Sequence, residues 1–134
     1  MQDDEFAVSA LADRSLLVLD DDGPLRIRLG RALEARGFAV RQAGSVADAV
    51  ELVRLRAPAY AVLDLRLEDG SGLDVVSAIH AQRPDARCVM LTGYGNIATA
   101  VAAVKAGAID YLPKPADAEA FVRQLGAALQ QRGF

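Results

Sequence analysis

The length and composition of the chain are typical of one soluble globular domain. It has 134 residues, of which 52% are hydrophobic and 25% are charged, so it can bury one core of ordinary size. The net charge of −3 argues against a nucleic-acid surface, and no apolar run reaches the roughly 18 residues of a membrane span. The acidic start lacks a signal-peptide layout and the single cysteine, Cys88, excludes an internal disulfide, so we expect a cytoplasmic protein without membrane contact.

Strand and helix patterns alternate along the whole chain. Residues 1–14 are polar and acidic and are predicted to form a flexible tail. The apolar run SLLVL that follows has no polar alternation, which is typical of a strand buried on both faces. The predicted strands cover about 15–20, 38–43, 60–65, 87–92 and 109–112, the predicted helices cover about 23–36, 46–56, 73–82, 96–106 and 117–131, and a turn-rich stretch covers 68–72.

Start and stop signals support these boundaries. Asp22 and Ser45 are predicted N-caps of the first two helices, and Gly37 is predicted to end the first. Apolar residues at helical spacing are predicted to face the sheet; they include Val46, Ala49, Val50 and Val53 in the second helix and Ile97, Val101 and Val104 in the fourth.

The βα repeat indicates an α/β fold. Strands that alternate with helices over short connections form a parallel sheet with helices on both faces. We therefore predict a doubly wound sheet of five parallel strands with five helices, in a single domain over 15–131.

Chemically active side chains follow the predicted strands. Asp20 and Asp21 follow the first strand, Asp64 ends the third, Thr92 ends the fourth and Lys114 follows the fifth. Because parallel strands share one carboxyl edge, these side chains are expected to converge. Carboxylates suit Mg²⁺ or Mn²⁺, and an aspartate can accept a phosphoryl group while hydroxyl and ammonium groups bind its oxygens. The absence of a Walker-type loop argues against direct nucleotide binding.

Two phosphoryl-transfer arrangements share these parts. In the first, Asp64 is the nucleophile and the Asp20–Asp21 pair holds the metal. In the second, that of a haloacid-dehalogenase-like phosphatase, Asp20 and Asp22 form the Asp-x-Asp pair; it leaves Asp64 without a role and has Pro24 where that class usually has threonine. A third hypothesis is an α/β scaffold that serves only for dimerisation.

Four stretches in order resemble the receiver (REC) domain of bacterial two-component response regulators, from about Ser15 to Leu129. They are LVLDDD followed by Arg26, VLDLRLEDGSGLD, VMLTGYG, and AGAIDYLPKP. The last two stretches and the residues between them are similar in particular to redox-responsive regulators of the RegA/PrrA type. The resemblance implies a flavodoxin-like fold with strand order 2-1-3-4-5. It also implies a sensor histidine kinase as partner, and control of transcription through a C-terminal DNA-binding domain that this chain does not include.

The resemblance also implies roles for individual residues. Asp64 would take a phosphoryl group from the phosphohistidine of the kinase. Asp21, Asp64 and the backbone carbonyl of Arg66 would bind Mg²⁺ directly, and Asp20 would act through water. The domain would catalyse only its own phosphorylation and dephosphorylation, and so would not be a metabolic enzyme.

Further residues are expected to read out the phosphoryl group. Thr92 and Lys114 would bind it, and Tyr111 would be an aromatic switch beside Thr92. Arg66 and Tyr94 are expected to tune its lifetime, because each stands two residues after a site residue. Phosphorylation is expected to alter the face of the fourth helix, fifth strand and fifth helix, through which a homodimer can form.

Two potentially reactive side chains are expected to play no part. His80 lies on a predicted helix without another histidine or cysteine nearby in the sequence, so it is expected to be partly exposed and not a phosphate relay. Cys88 lies in an apolar strand and is expected to be an inert core residue.

Overall fold

The computed structural model describes residues 13–93, 97–105, 107–108, 110–114 and 123. Within them, the strands and helices alternate as predicted, and most boundaries agree to within two residues. The elements are β1 (Ser15–Leu19), α1 (Gly23–Ala35), β2 (Ala39–Ala43), α2 (Val46–Leu55), β3 (Tyr60–Asp64), β4 (Arg66–Leu67), β5 (Gly70–Ser71), α3 (Gly72–Gln82), β6 (Arg87–Thr92), α4 (Ile97–Lys105) and β7 (Asp110–Pro113). The predicted tail, apart from residues 13–14, and the predicted fifth helix, apart from residue 123, lie outside the described residues.

The main sheet has five parallel strands in the order β2-β1-β3-β6-β7. Counted along the chain without β4 and β5, this is the predicted order 2-1-3-4-5. Successive side chains of a strand point to opposite faces, so the apolar strands supply two cores. Leu16 and Val62 pack with α1 on one face, whereas Leu17 and Leu63 pack with α2 and α3 on the other.

The turn-rich stretch after β3 contains two short strands that were not predicted. β4 and β5 pair antiparallel, with Arg66 opposite Ser71 and Leu67 opposite Gly70. Strands of two residues are too short to show the period-two pattern from which strands are predicted. The hairpin lies directly after the phosphoacceptor candidate Asp64.

The predicted inner faces of two helices are partly wrong. Val50 of α2 is 39% exposed, and Val101 and Val104 of α4 are 45% and 61% exposed. Ala103 of α4 is fully buried, and the side chain of Ile97 lies outside the described residues. Because α4 is apolar on nearly every side, periodicity alone could not select the side that packs on the sheet.

The predicted helix boundary signals are confirmed. The Asp22 carboxylate accepts a hydrogen bond from the backbone N–H of Leu25 at 3.1 Å, and Ser45 Oγ accepts one from Asp48 at 3.1 Å. Gly37 follows α1 with φ of 105°, in the left-handed region that glycine adopts without strain. Among the described helices, none combines the length and the apolar character that crossing a bilayer requires.

Candidate functional site

Strand register brings the predicted site residues to one edge of the sheet. Leu19 of β1 lies opposite Leu63 of β3, so Asp20 and Asp64 follow at neighbouring positions. Thr92 ends β6 opposite Pro113 of β7, and Lys114 comes next in the chain. The expected convergence of the strand ends is therefore confirmed for the backbone of these residues.

The acidic residues differ sharply in burial. Asp20 is fully buried and Asp64 is 3% exposed, whereas Asp21 and Asp22 are exposed. Because burying an unpaired charge is costly, the three acids after β1 are expected to leave the interior. Asp20 departs from this expectation and lies at the base of the site. The structure separates Asp22 from the other acids by role, because its carboxylate caps α1.

Lys114 joins the two buried carboxylates. Its Nζ lies 3.1 Å from Asp64 Oδ2 and 3.3 Å from Asp20 Oδ1, and it donates a hydrogen bond to each. Asp20 Oδ1 also accepts the backbone N–H of Asp22 at 2.9 Å. Asp20 Oδ2 is 3.2 Å from Nζ without hydrogen-bond geometry, so within the described chain this buried oxygen has no hydrogen-bond partner.

The charges of the site perturb one another. Burial, followed by the charge of Asp20, raises the pKa of Asp64, although Lys114 and the backbone N–H of Arg66 oppose the shift by hydrogen bonding its carboxylate. Burial lowers the pKa of Lys114, but its contacts with Asp64 and Asp20 outweigh this effect and raise it. Lys114 is therefore a cation held between carboxylates.

The donor set fits a divalent cation. One carboxylate oxygen from each of Asp20, Asp21 and Asp64 lies within 4.8 Å of the other two. Three carboxylates against the single ammonium of Lys114 leave an excess of negative charge, and the unpartnered Asp20 Oδ2 offers a ligand atom. Hard oxygen ligands of this kind are those that Mg²⁺, Mn²⁺ and Ca²⁺ prefer.

Arg26 supports the site from α1 in a way that the sequence did not reveal. Its Nη1 donates to the backbone carbonyl of Asp20 at 2.8 Å, and its Nε donates to Gln42 Oε1 of β2 at 3.2 Å. The sequence shows Arg26 only as part of a motif. Its position one turn after the acidic run is the available signal, but the acceptor is a backbone atom, which a sequence pattern does not identify.

The remaining predicted site residues are placed only in part. Arg66 is exposed on β4, and its backbone N–H acts to lower the pKa of the Asp64 carboxyl. Tyr111 is half-buried and packs against the core on the α2–α3 side of the sheet. The side chain of Thr92 and all of Tyr94 lie outside the described residues.

Cys88 and His80 have the burial expected of them. Cys88 is fully buried, and burial raises the pKa of its thiol to about 12, so the thiol is protonated and a poor nucleophile at neutral pH. His80 is half-buried, and its Nε2 lies 2.9 Å from the carbonyl oxygen of Ala86, where it is placed to donate. The expectation that no cysteine lies near His80 is wrong, because Cys88 Sγ is 3.9 Å from the same nitrogen.

Comparison with known proteins agrees with the resemblance to receiver domains that the sequence motifs indicate. The chain matches the family described as response regulator receiver domain over residues 16–126. The photosynthetic apparatus regulatory protein RegA of Cereibacter sphaeroides is 64% identical over 107 residues, which are 80% of this chain and 58% of RegA. The acid tolerance regulatory protein ActR of Rhizobium meliloti is 59% identical over 120 residues, which are 90% of this chain and 60% of ActR.

A solved structure is similar to this chain in fold. It is a response regulator protein from Burkholderia pseudomallei with a phosphorylated aspartic acid, a calcium ion and citrate. Its sequence is 40% identical, its TM-score is 0.75, and the match covers 90% of this chain and 76% of that one.

The phosphatase alternative finds no support in these comparisons. The phosphatase arrangement needs Asp22 as one acid of its Asp-x-Asp pair, but Asp22 caps α1. That arrangement gives Asp64 no role, whereas Asp64 lies in the acidic cluster.

The chain spans less than two thirds of the length of the two regulators named above. The family match and the similarity to these regulators show that this chain belongs to the receiver domains of two-component response regulators.

Proposed function

We propose that the chain is a Mg²⁺-dependent phosphorylation switch in which Asp64 accepts a phosphoryl group from a sensor histidine kinase. The observation that carries the proposal is the contact of Lys114 Nζ with both Asp64 and Asp20, beside Asp21. These residues are 50 and 94 positions from the lysine, so the fold assembles them at one point. Mn²⁺ is expected to replace Mg²⁺ because it prefers the same oxygen ligands.

Asp64 is the nucleophile in the proposed transfer. One of its carboxylate oxygens attacks the phosphorus of the phosphohistidine, and a phosphorus–oxygen bond forms as the phosphorus–nitrogen bond breaks. The bonding electron pair returns to the imidazole nitrogen of the kinase. Lys114, already 3.1 Å from Asp64 Oδ2, offsets the charge of the phosphoryl oxygens, and Thr92 at the end of β6 donates to one of them.

The metal would supply further positive charge to the phosphoryl oxygens. We assign its protein ligands to Asp21, Asp64 and the backbone carbonyl of Arg66, with Asp20 acting through water. The excess of negative charge and the unpartnered oxygen of Asp20 support this assignment. On this proposal the domain catalyses only its own phosphorylation and dephosphorylation. We further propose that Arg66 and Tyr94 tune the rate at which the phosphoryl group on Asp64 is hydrolysed. Measuring how fast the phosphorylated protein decays in Arg66→Ala and Tyr94→Ala tests this role.

Acetyl phosphate with Mg²⁺ provides the test. We expect mass spectrometry to find one acyl phosphate, on Asp64, that is lost completely in Asp64→Asn. Asp22→Asn is the matched control, and it should keep the label because Asp22 caps α1 and asparagine also caps helices.

Other results would contradict the proposal in recognisable ways. Label that survives Asp64→Asn places the nucleophile elsewhere. Steady release of phosphate from many esters, abolished by Asp20→Asn, would favour the phosphatase. Absence of any metal-dependent label in the wild-type chain would favour the scaffold.

The same proposal includes the downstream events. Thr92 and the half-buried Tyr111 are the switch pair that changes the face of α4 and β7 after phosphorylation. Val101 and Val104 place exposed apolar side chains on α4, which suits contact with a second copy. We propose a cytoplasmic receiver domain over 15–131. A DNA-binding domain, not part of this chain, would carry transcriptional output.

A further inference from the structure

The hairpin of β4 and β5 is fixed to the phosphoacceptor at its base. The N–H of Gly72 donates to the carbonyl of Leu65 at 3.0 Å, which closes the hairpin directly after Asp64. A Cβ atom at Gly72 would lie only 2.1 Å from the carbonyl oxygen of Asp64, so the two backbone segments are in close contact. On β4, Arg66 lies two residues after Asp64 and opposite Ser71 of β5, and its backbone N–H is close enough to the Asp64 carboxylate to lower the pKa of that group. The orientation of the hairpin therefore determines where Arg66 meets Asp64.

The tip of the hairpin is fixed to a different element. Asp69 Oδ1 accepts the backbone N–H of Val46 at 2.9 Å, and Asp69 Oδ2 accepts that of Ala47 at 3.0 Å. These are N–H groups of the first turn of α2, which have no partner within the helix. The two bonds hold the pKa of the Asp69 carboxyl below its usual range, so this carboxylate is ionised at neutral pH. They join the loop after the phosphoacceptor to α2 across 23 and 22 positions of sequence.

Apolar contact reinforces this attachment. A Cβ atom at Gly70 would lie 3.4 Å from Val46 Cγ2, so the glycine backbone packs against the first residue of α2. Gly70 has φ of 153°, which lies in the region that favours glycine. The hairpin thus has three supports, namely Asp64 at the base, Asp69 at the tip and Val46 at the side.

We propose that Asp69 is a positioning residue, which holds the hairpin against α2 so that the backbone of Arg66 stays in register with Asp64 and its metal. The inference rests on the proposed function of the site. Asp69 does not touch the reacting atoms; it acts through the β4 strand. Its loss frees the tip of the hairpin, and Arg66 then samples positions that bind the metal less well.

The competing reading is that Asp69 only caps α2. The chain offers a matched control for it, because Ser45 Oγ accepts the N–H of Asp48 at 3.1 Å at the same end of the same helix but makes no hydrogen bond to the hairpin. A cap-only role predicts that Asp69→Ala and Ser45→Ala lower stability alike and leave metal binding alone. A positioning role predicts that only Asp69→Ala lowers the affinity of the chain for the metal.

The experiment uses the full chain with Mn²⁺ as the probe, its free concentration being read by electron paramagnetic resonance. We expect Asp69→Ala to weaken Mn²⁺ binding by about tenfold, the lower end of the effect of losing an outer partner of a metal site. Labelling by acetyl phosphate should need about ten times more Mg²⁺ for its half-maximal rate, for the same reason. Asp69→Asn keeps one acceptor oxygen and should recover much of the affinity, and Ser45→Ala should match the wild type.

A structural readout accompanies the binding data. In amide NMR spectra, Asp69→Ala should shift the signals of Val46 and Ala47, which lose their acceptor, and also that of Arg66. Ser45→Ala should shift the signal of Asp48 and leave that of Arg66 in place.

The outcomes separate this inference from the proposed function. If wild-type chain binds Mn²⁺ and is labelled at Asp64 while Asp69→Ala does the same with equal metal dependence, the positioning role is wrong and the proposed function stands. Equal loss of Mn²⁺ affinity in Ser45→Ala also overturns the positioning role. If the wild-type chain is never labelled, the proposed function itself fails.

Discussion

Gly72 is a residue at which the fold leaves no room for a side chain beside Asp64. It begins α3, and a side chain there would meet the carbonyl oxygen of Asp64 at 2.1 Å and Met90 Cε at 3.1 Å. The first of these atoms is backbone, which cannot move aside without displacing the end of β3. Glycine is needed at this position because of close approach, and its φ is not in the positive region.

The substitution Gly72→Ala should therefore damage both stability and function. We expect a loss of about 2–3 kcal/mol in the free energy of unfolding, as for other overpacked interiors. We also expect slower labelling by acetyl phosphate, because Asp64 must shift. Urea denaturation and the labelling rate measure the two effects.

Gly23→Ala is the control, since the nearest atom to its Cβ would be a side-chain nitrogen of Arg26 at 3.9 Å. If Gly72→Ala behaved like Gly23→Ala, the close contact with Asp64 would not constrain the site.

At the scale of elements, the edge strand β2 is held by two arginine bridges. It is less buried than β1 and β3, and only its last residue is fully buried. Arg26 of α1 reaches Gln42, as described above. Arg41 of β2 donates to the carbonyl of Arg56 at 2.8 Å and to that of Leu52 at 3.5 Å, both at the carboxyl end of α2. The Leu52 carbonyl also accepts the backbone N–H of Arg56, so Arg41 adds to the hydrogen bonds that end the helix. The arginines thus join β2 to a helix on each face of the sheet.

We expect Arg41→Ala to lower the free energy of unfolding by about 1–2 kcal/mol, because it removes hydrogen bonds from a charged donor. Arg31→Ala, on the exposed face of α1, is the control and should change stability by less than about 0.5 kcal/mol. Urea unfolding curves with unchanged slopes would measure the difference. Equal stability of the two variants would show that α2 ends without help from β2.

At the scale of the molecule, the two edges of the sheet differ in their charged groups. The carboxyl edge gathers the acids of the site. At the amino edge, Asp13 ties three segments together, because its carboxylate accepts the N–H of Ser15 at 2.9 Å and contacts Arg83 at 2.7 Å and Arg56 at 3.3 Å. The bond from Ser15 first, and then Arg83, hold the pKa of Asp13 well below its usual range, although partial burial opposes them.

This lowered pKa makes stability depend on pH. Because the pKa of Asp13 is lower in the folded than in the unfolded chain, its contribution is fully present above the unfolded pKa of about 3.9. The contribution declines as the pH falls below that value, where the unfolded chain binds the proton first. We therefore expect the free energy of unfolding to fall less steeply between about pH 5 and 3 in Asp13→Asn than in the wild type. Urea unfolding across this range measures the slopes, and parallel slopes would contradict the assignment.

Much of the fold and of the candidate site could be predicted from the sequence. Apolar runs without alternation predicted the central strands. The aspartates at the ends of these runs predicted the edge of the sheet at which the site residues lie, because parallel strands share a carboxyl edge. Asp22, Ser45 and Gly37 marked helix ends because caps act within a few residues of sequence. Local rules of this kind failed for α4, where Val101 and Val104 were placed inside, since a helix apolar all round has no preferred side.

Patterns along the chain thus determined the α/β architecture, the acids of the site and the family to which the chain is similar. Only the tertiary structure decided which acids are buried, that Lys114 lies between Asp20 and Asp64, and that Asp69 clamps a hairpin to α2. The physical reason is the range of each interaction. Periodicity and capping act over a few neighbouring residues, whereas a hydrogen bond between groups 22 to 94 positions apart exists only once the fold has brought those groups together.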